Sequence, residues 1–182
     1  MNAADVIRRL HQHRAWVTRN LLVTAAKLTD EQLKTPLPIG QGSVWKSLCH
    51  LQAAEFVWLG SLEGDENSTM PGDVAGHLPG NQLGEGGFKH FPDLAEKWAA
   101  LELRWSKYLE SLQPESLDDI VYKVSTSTGK GIRFGSRRSD ILLHICTHAQ
   151  YTVAQVVNMF RQLEVQEFPH TMLIAMARLE TV

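Results

Sequence analysis

Residues 142–163 read LLHICTHAQYTVAQVVNMFRQL, a run without glycine or proline in which apolar side chains return at helical spacing. The pattern predicts a long helix from near Ser139 to about Leu163. At about 100° per residue, His144 and His148 lie about 40° apart on it, and Tyr151, Thr152, Gln155 and Met159 continue the same stripe. Gln150 and Arg161 project from the opposite side, so the histidine stripe is predicted to face inward, flanked by Ile141 and Ile145. A buried neutral imidazole needs both a hydrogen-bond donor and an acceptor satisfied, which leaves two readings of this pair: metal ligands or core histidines.

The rest of the chain supplies partners for that helix. Val6, Leu10, Trp16, Val17, Leu21, Leu22 and Leu28 predict an amphipathic first helix over 3–28. Thr29 with Gln32 forms a capping box for a short turn ending at Pro36. Ser43 caps a second long helix over 44–62, VWKSLCHLQAAEFVWLGSL. Asp93 with Glu96 opens a third, DLAEKWAALELRWSKYLESL, which Pro114 ends. Between the second and third helices, residues 63–91 are rich in Gly, Pro and polar side chains, longer than ordinary helix connections and suited to rim a pocket. Ile120 to Val124 and Gly131 to Phe134 flank STSTGKG and predict a small β-hairpin before the last long helix; Pro169 precedes a short helical tail. Four long antiparallel helices make an all-α protein, an up-down four-helix bundle forming one domain over residues 1–182.

Composition narrows the function. The chain of 182 residues has a formal net charge of -2, and its single basic cluster, Arg133 with Arg137 and Arg138, is too small for a nucleic-acid-binding face. No window approaches the roughly 18 apolar residues needed to span a bilayer, and the N-terminus lacks a secretory core, so a cytoplasmic protein is expected. The two cysteines, Cys49 and Cys146, sit in apolar helical patterns and read as buried reduced thiols. The five tryptophans at helical spacing read as core packing. GEGG at 84–87 lacks the strand and the Lys-Ser/Thr of a phosphate loop.

His50, on the second long helix, shares its side with Ala53, Ala54 and Val57, while Gln52 is predicted to point away; His50 is therefore expected in the interior with His144 and His148. Imidazole suits zinc, nickel, copper or iron, and three protein ligands leave a position open for water or substrate. His11, His13, His77, His90 and His170 are expected at the surface, and Glu55 is expected to turn away from His50.

The segment at 28–33, GSVWKSLCHLQAAEFVWL at 42–59 and LLHICTHAQYTVAQVVNMFRQL at 142–163 resemble the DinB-like (DinB/YfiT) family over nearly the whole chain. The resemblance implies a bundle, a homodimer, and a zinc or nickel ion held by one histidine of the second helix and two of the fourth. His50 and His148 match the first two positions. The third falls on Thr152, because the family's HRGQ is here Thr152-Val153-Ala154-Gln155, and His144 lies one turn earlier as a substitute. Two functions follow. One is a metal-dependent thiol transferase or hydrolase, with Tyr151, Thr152 and Gln155 around a small-molecule substrate; the other is a non-catalytic, stress-associated bundle that has lost its metal.

Overall fold

The computed structural model describes residues 2–70, 87–125 and 131–181. Its helices are α1 (Ala3–Ala25), α2 (Asp30–Lys34), α3 (Val44–Leu62), α4 (Phe91–Ser111), α5 (Arg138–Gln162) and α6 (Leu173–Leu179). Two strands, β1 (Ile120–Val124) and β2 (Arg133–Arg137), pair antiparallel with Tyr122 opposite Gly135. The strands lie where the sequence places the hairpin, although β2 runs to Arg137. Residues 126–130 of its expected turn, together with most of the Gly-rich connection, His77 and all of GEGG but Gly87, fall outside the described residues.

The helix starts follow local chemistry. Thr29 Oγ1 accepts from Gln32 N–H at 3.1 Å while Gln32 Oε1 accepts from Thr29 N–H at 2.9 Å, closing the expected capping box. Ser43 caps α3 by accepting from Lys46 N–H. At α4 the expectation needs correction. The cap is His90, whose Nδ1 accepts from Asp93 N–H at 3.1 Å, so the helix begins at Phe91 with Pro92 in its first turn. Asp93 is an interior first-turn acid that accepts from Lys89 N–H.

Packing sets the helix order. α5 lies along both α3 and α1, and α4 also borders both, so the ring runs α1, α5, α3, α4. The first two long helices, α1 and α3, therefore lie diagonally across the bundle from each other. α3 is the most enclosed helix, covered by α5, α4, α2 and β1, and Gln52, expected to point outward, is 2% exposed there. Leu48, Leu51, Leu59, Leu94, Trp98, Leu101, Trp105, Leu142, Ile145, Val156 and Phe160 form one continuous apolar core. Trp16 and Trp58 pack against it partly exposed, in line with the core reading of the tryptophans.

The seam of α1 is the main departure from expectation. Ala4, Ile7, His11, Arg14, Thr18, Leu21 and Ala25 are buried, a strict alternation of three and four residues whose middle is polar. Val6, assigned to the core from sequence, is instead exposed. Arg14 Nη1 donates to Glu55 Oε2 of α3 at 2.5 Å and to Glu102 Oε1 of α4 at 2.6 Å, and Nη2 donates to Glu102 Oε2 at 2.8 Å. Trp98 Nε1–H donates to Glu55 Oε2 at 3.1 Å, and the guanidinium lies 5.3 Å from the Trp105 ring centroid. Burial pushes the Glu55 carboxyl up, to about 7, against the opposing pull of Arg14. Burial acts to lower Arg14, but Glu55 and Glu102 outweigh it and hold the guanidinium above its ordinary value.

Removing Arg14 leaves the buried Glu55 without its counter-charge, which typically costs about 3–5 kcal/mol, whereas replacing both with apolar groups costs far less and removing Glu55 alone leaves the guanidinium on Glu102. Urea unfolding should therefore show Arg14→Met strongly destabilising and the Arg14→Met/Glu55→Leu double variant well short of the sum of the two single changes. Additive single effects of under about 1 kcal/mol would contradict a coupled core pair.

Candidate metal centre

The ridge of α5 that meets α3 brings two of the candidate histidines into contact. His50 Nε2 and His148 Nε2 are 3.0 Å apart, with ring centroids at 5.0 Å and planes at 62°. Both residues are partly buried. Between two neutral imidazoles, one Nε2–H must donate to the other ring's Nε2 lone pair. A cation offers a second solution, in which both Nε2 lone pairs bind it and both rings carry their proton on Nδ1. With metal–nitrogen bonds of about 2.0–2.1 Å, tetrahedral ligands sit about 3.3 Å apart and right-angled ones about 2.9 Å. The observed 3.0 Å separation falls between these limits, so the spacing is that of a chelate, while the rings are oriented for a hydrogen bond and would have to rotate to share an ion.

His144 stands differently. It is exposed, its ring centroid 5.7 Å from that of His148, and its other side meets Trp58 edge-on at 5.7 Å. Among the described residues no group of three or more His, Cys, Asp or Glu side chains is arranged to hold a metal ion. The inward reading of the stripe holds for Thr152, 2% exposed, and for Met159, which is fully buried, and fails for His144 and Tyr151, the latter 69% exposed. The reason is rotation: α5 turns Ile145, Ala149, Thr152 and Val156 to the core, leaving His148 at the edge of that face and Tyr151 beyond it.

Gln155 has a positional role. A Cβ added to Gly40 would sit 2.4 Å from Gln155 Oε1, so the side chain presses on the loop that leads into α3. Gly40 also has φ +51°, a left-handed backbone that glycine adopts freely. Lys123 of β1 lies over Trp58 at 5.7 Å and donates to Ser68 O at 3.3 Å, closing an aromatic wall behind His144.

Burial favours the neutral form of His148 and of His144. Burial, then the neighbouring His50 and His144, pull His148 down to about 4, and burial lowers His144. Cys49 and Cys146 are buried thiols pushed up to about 12 by burial, so neither is a thiolate poised to bind metal.

Sequence reasoning misplaced His11 and His13, both expected at the surface. His11 is 1% exposed and donates from Nε2 to Leu142 O of α5 at 3.1 Å; His13 is 7% exposed, with Nε2 3.0 Å from Thr171 O. Glu55 makes no hydrogen bond to His50, as expected, but it is fully buried in the Arg14 network. The legible signal was the seam itself, since His11, Arg14 and Thr18 fill every buried position between Ile7 and Leu21 save Val17 and His13.

A helical bundle with an imidazole pair on facing helices is the class that this geometry defines. The chain belongs to the DinB superfamily, whose profile matches residues 4–156. Among solved structures it is similar to YfiT from Bacillus subtilis, with 18% identity, a TM-score of 0.61 and 87% of each chain covered. That protein is described as a probable metal-dependent hydrolase with an unusual four-helix bundle topology. At this identity the likeness concerns the fold. No curated protein sequence matches the chain.

Neutral burial of His148 and His11 has a pH consequence. The folded values, about 4 and about 3, lie below the ordinary 6.5, so the unfolded chain binds more protons. Their contribution is complete above pH 6.5 and is lost as pH falls through that window, at up to about 1.4 kcal/mol per pH unit for each. Denaturant unfolding with chelator present should weaken from pH 6.5 toward 4, and His148→Asn should flatten part of that slope; identical slopes would contradict a neutral buried His148.

Proposed function

We propose that this chain holds one divalent ion, zinc or nickel, on His50 and His148, and acts as a metal-dependent thiol transferase or hydrolase on a small molecule. The observation that carries this is the 3.0 Å approach of the two Nε2 atoms from facing helices. The His148 ring needs no deprotonation near neutral pH, because burial already keeps it neutral. A bound ion with open positions would acidify a water or thiol and polarise a carbonyl. His144, one turn from His148, is the third imidazole within reach of a small adjustment, and solvent is the other source of ligands. Trp58, under Lys123, packs edge-on against His144, and Tyr151, Thr152 and Gln155 on α5 are the residues proposed to meet a substrate there. An up-down arrangement of the long helices, a homodimer and a cytoplasmic setting belong to the same proposal and rest on the family resemblance; a nucleic-acid or membrane partner does not, because the net charge is only -2 and no described helix is long and apolar enough to cross a bilayer.

A second reading is favoured by Thr152, which occupies the third ligand position of the family pattern and is 2% exposed. A hydroxyl there is a poor zinc ligand, so a metal-free, non-catalytic binding bundle is the competing function.

Metal analysis of protein purified without a metal-affinity tag, followed by zinc titration, separates the two. The expected result is one zinc per chain, with His50→Ala and His148→Ala each weakening binding beyond the roughly 10- to 100-fold that outer-sphere losses cost. Thr152→His should tighten it. A well-folded native protein that takes up no zinc would overturn the metal reading and leave the metal-free one.

A further inference from the structure

The α1 and α4 helices are the loosest neighbouring pair of the bundle, and a cleft of about 580 Å³ lies between them. That is within the range of small-molecule sites, roughly 300–1,000 Å³. It lies apart from the imidazole pair, which α3 and α5 supply. Ala15, Leu103 and Leu109 give it apolar surface among polar and charged neighbours, and its lining includes three buried polar side chains, His11, Arg14 and Trp105, each 1% exposed.

Those three carry an unmet demand. His11 Nδ1, Arg14 Nε and Trp105 Nε1 are buried and have no hydrogen-bond partner among the described residues. Because the Leu142 carbonyl can only accept, His11 carries its proton on Nε2, and Nδ1 is a bare lone pair awaiting a donor. Arg14 Nε–H and Trp105 Nε1–H await an acceptor. The three side chains adjoin one another, the His11 and Trp105 ring centroids being 4.9 Å apart and the Arg14 guanidinium 5.3 Å from the same indole. Buried polar groups are nearly always paired, so a cluster of three beside a cavity points to a missing partner.

We propose that the α1–α4 cleft is a second binding site, for a flat apolar molecule carrying one hydroxyl group, such as a substituted phenol. The hydroxyl is selected because it both accepts and donates: it takes an N–H from Trp105 or Arg14 and gives its proton to His11 Nδ1. A carboxylate only accepts and leaves His11 unmet, and a hydrocarbon meets none of the three. Arg14 is neutralised by Glu55 and Glu102, and Arg8 is spent on Asp5 and the carbonyls of Leu109 and Leu112. Arg19 also lines the cleft, opposed in charge by Glu102 and Glu110, so selection against a carboxylate rests on His11.

The test is titration of the full chain with 4-propylphenol, 4-propylbenzoate and propylbenzene, read by the indole N–H resonance of Trp105 and by calorimetry. The expected result is one saturable 4-propylphenol site that shifts the Trp105 resonance, with the other two compounds at least about tenfold weaker. Trp105→Phe, which keeps the stacked ring and removes the donor, should weaken the phenol severalfold, and Ala15→Trp, at a partly exposed position in the wall, should abolish binding while preserving the fold. Equal binding of all three compounds, saturation without a Trp105 shift, full binding by the Ala15→Trp protein, or no binding at all would each overturn the assignment. So would a dimer whose interface covers this face.

Discussion

One arginine fixes the register of the bundle. Arg14 leaves the middle of the α1 seam and binds Glu55 of α3 and Glu102 of α4, while His11, one turn before it, donates to a carbonyl of α5. Apolar contacts are undirected, so an apolar seam discriminates weakly between registers that conserve the packed volume. A buried guanidinium has no such freedom. A shift of about 5 Å along the axis would leave a charge unpaired in the core, and that penalty exceeds what most apolar contacts return.

The imidazole pair inherits this precision. His50 and Glu55 belong to the same helix, so fixing Glu55 against α1 also fixes the height of His50, and the carbonyl bond from His11 sets the height of α5. Gln155 pressing on Gly40 holds the entry of α3 against the same α5, and the hairpin secures the other end through Val124 N–H to Glu66 O at 2.8 Å and the Arg133–Glu66 ion pair. α5 thus serves two faces. It meets the polar seam of α1 near Leu142 and Cys146, and it offers His148 to α3.

The long helices were legible because period and caps agree: the second and fourth were expected within a residue of their observed ends, and the Thr29 and Ser43 caps form as read. The ring order was not legible, since nothing local tells α3 to sit across from α1. His11 and Arg14 were hidden by their chemistry. Polar residues are assigned to solvent by default, and only the unbroken three-and-four spacing from Ala4 to Ala25 betrays a buried seam. For the site, the pairing of His50 with a histidine of α5 could be anticipated from two apolar stripes. Which of His144 and His148 meets it depends on helix rotation and on the axial register that the ion network sets, and a sequence pattern does not encode a rotation of some tens of degrees.

His50 and His148, from the neighbouring helices α3 and α5, are the proposed binding unit. X-ray absorption at the zinc edge of the zinc-loaded protein reads it. At least two imidazole nitrogens are expected at about 2.0–2.1 Å, completed by oxygen or by one further imidazole. A coordination shell containing sulfur from Cys49 or Cys146, or no imidazole, would contradict it.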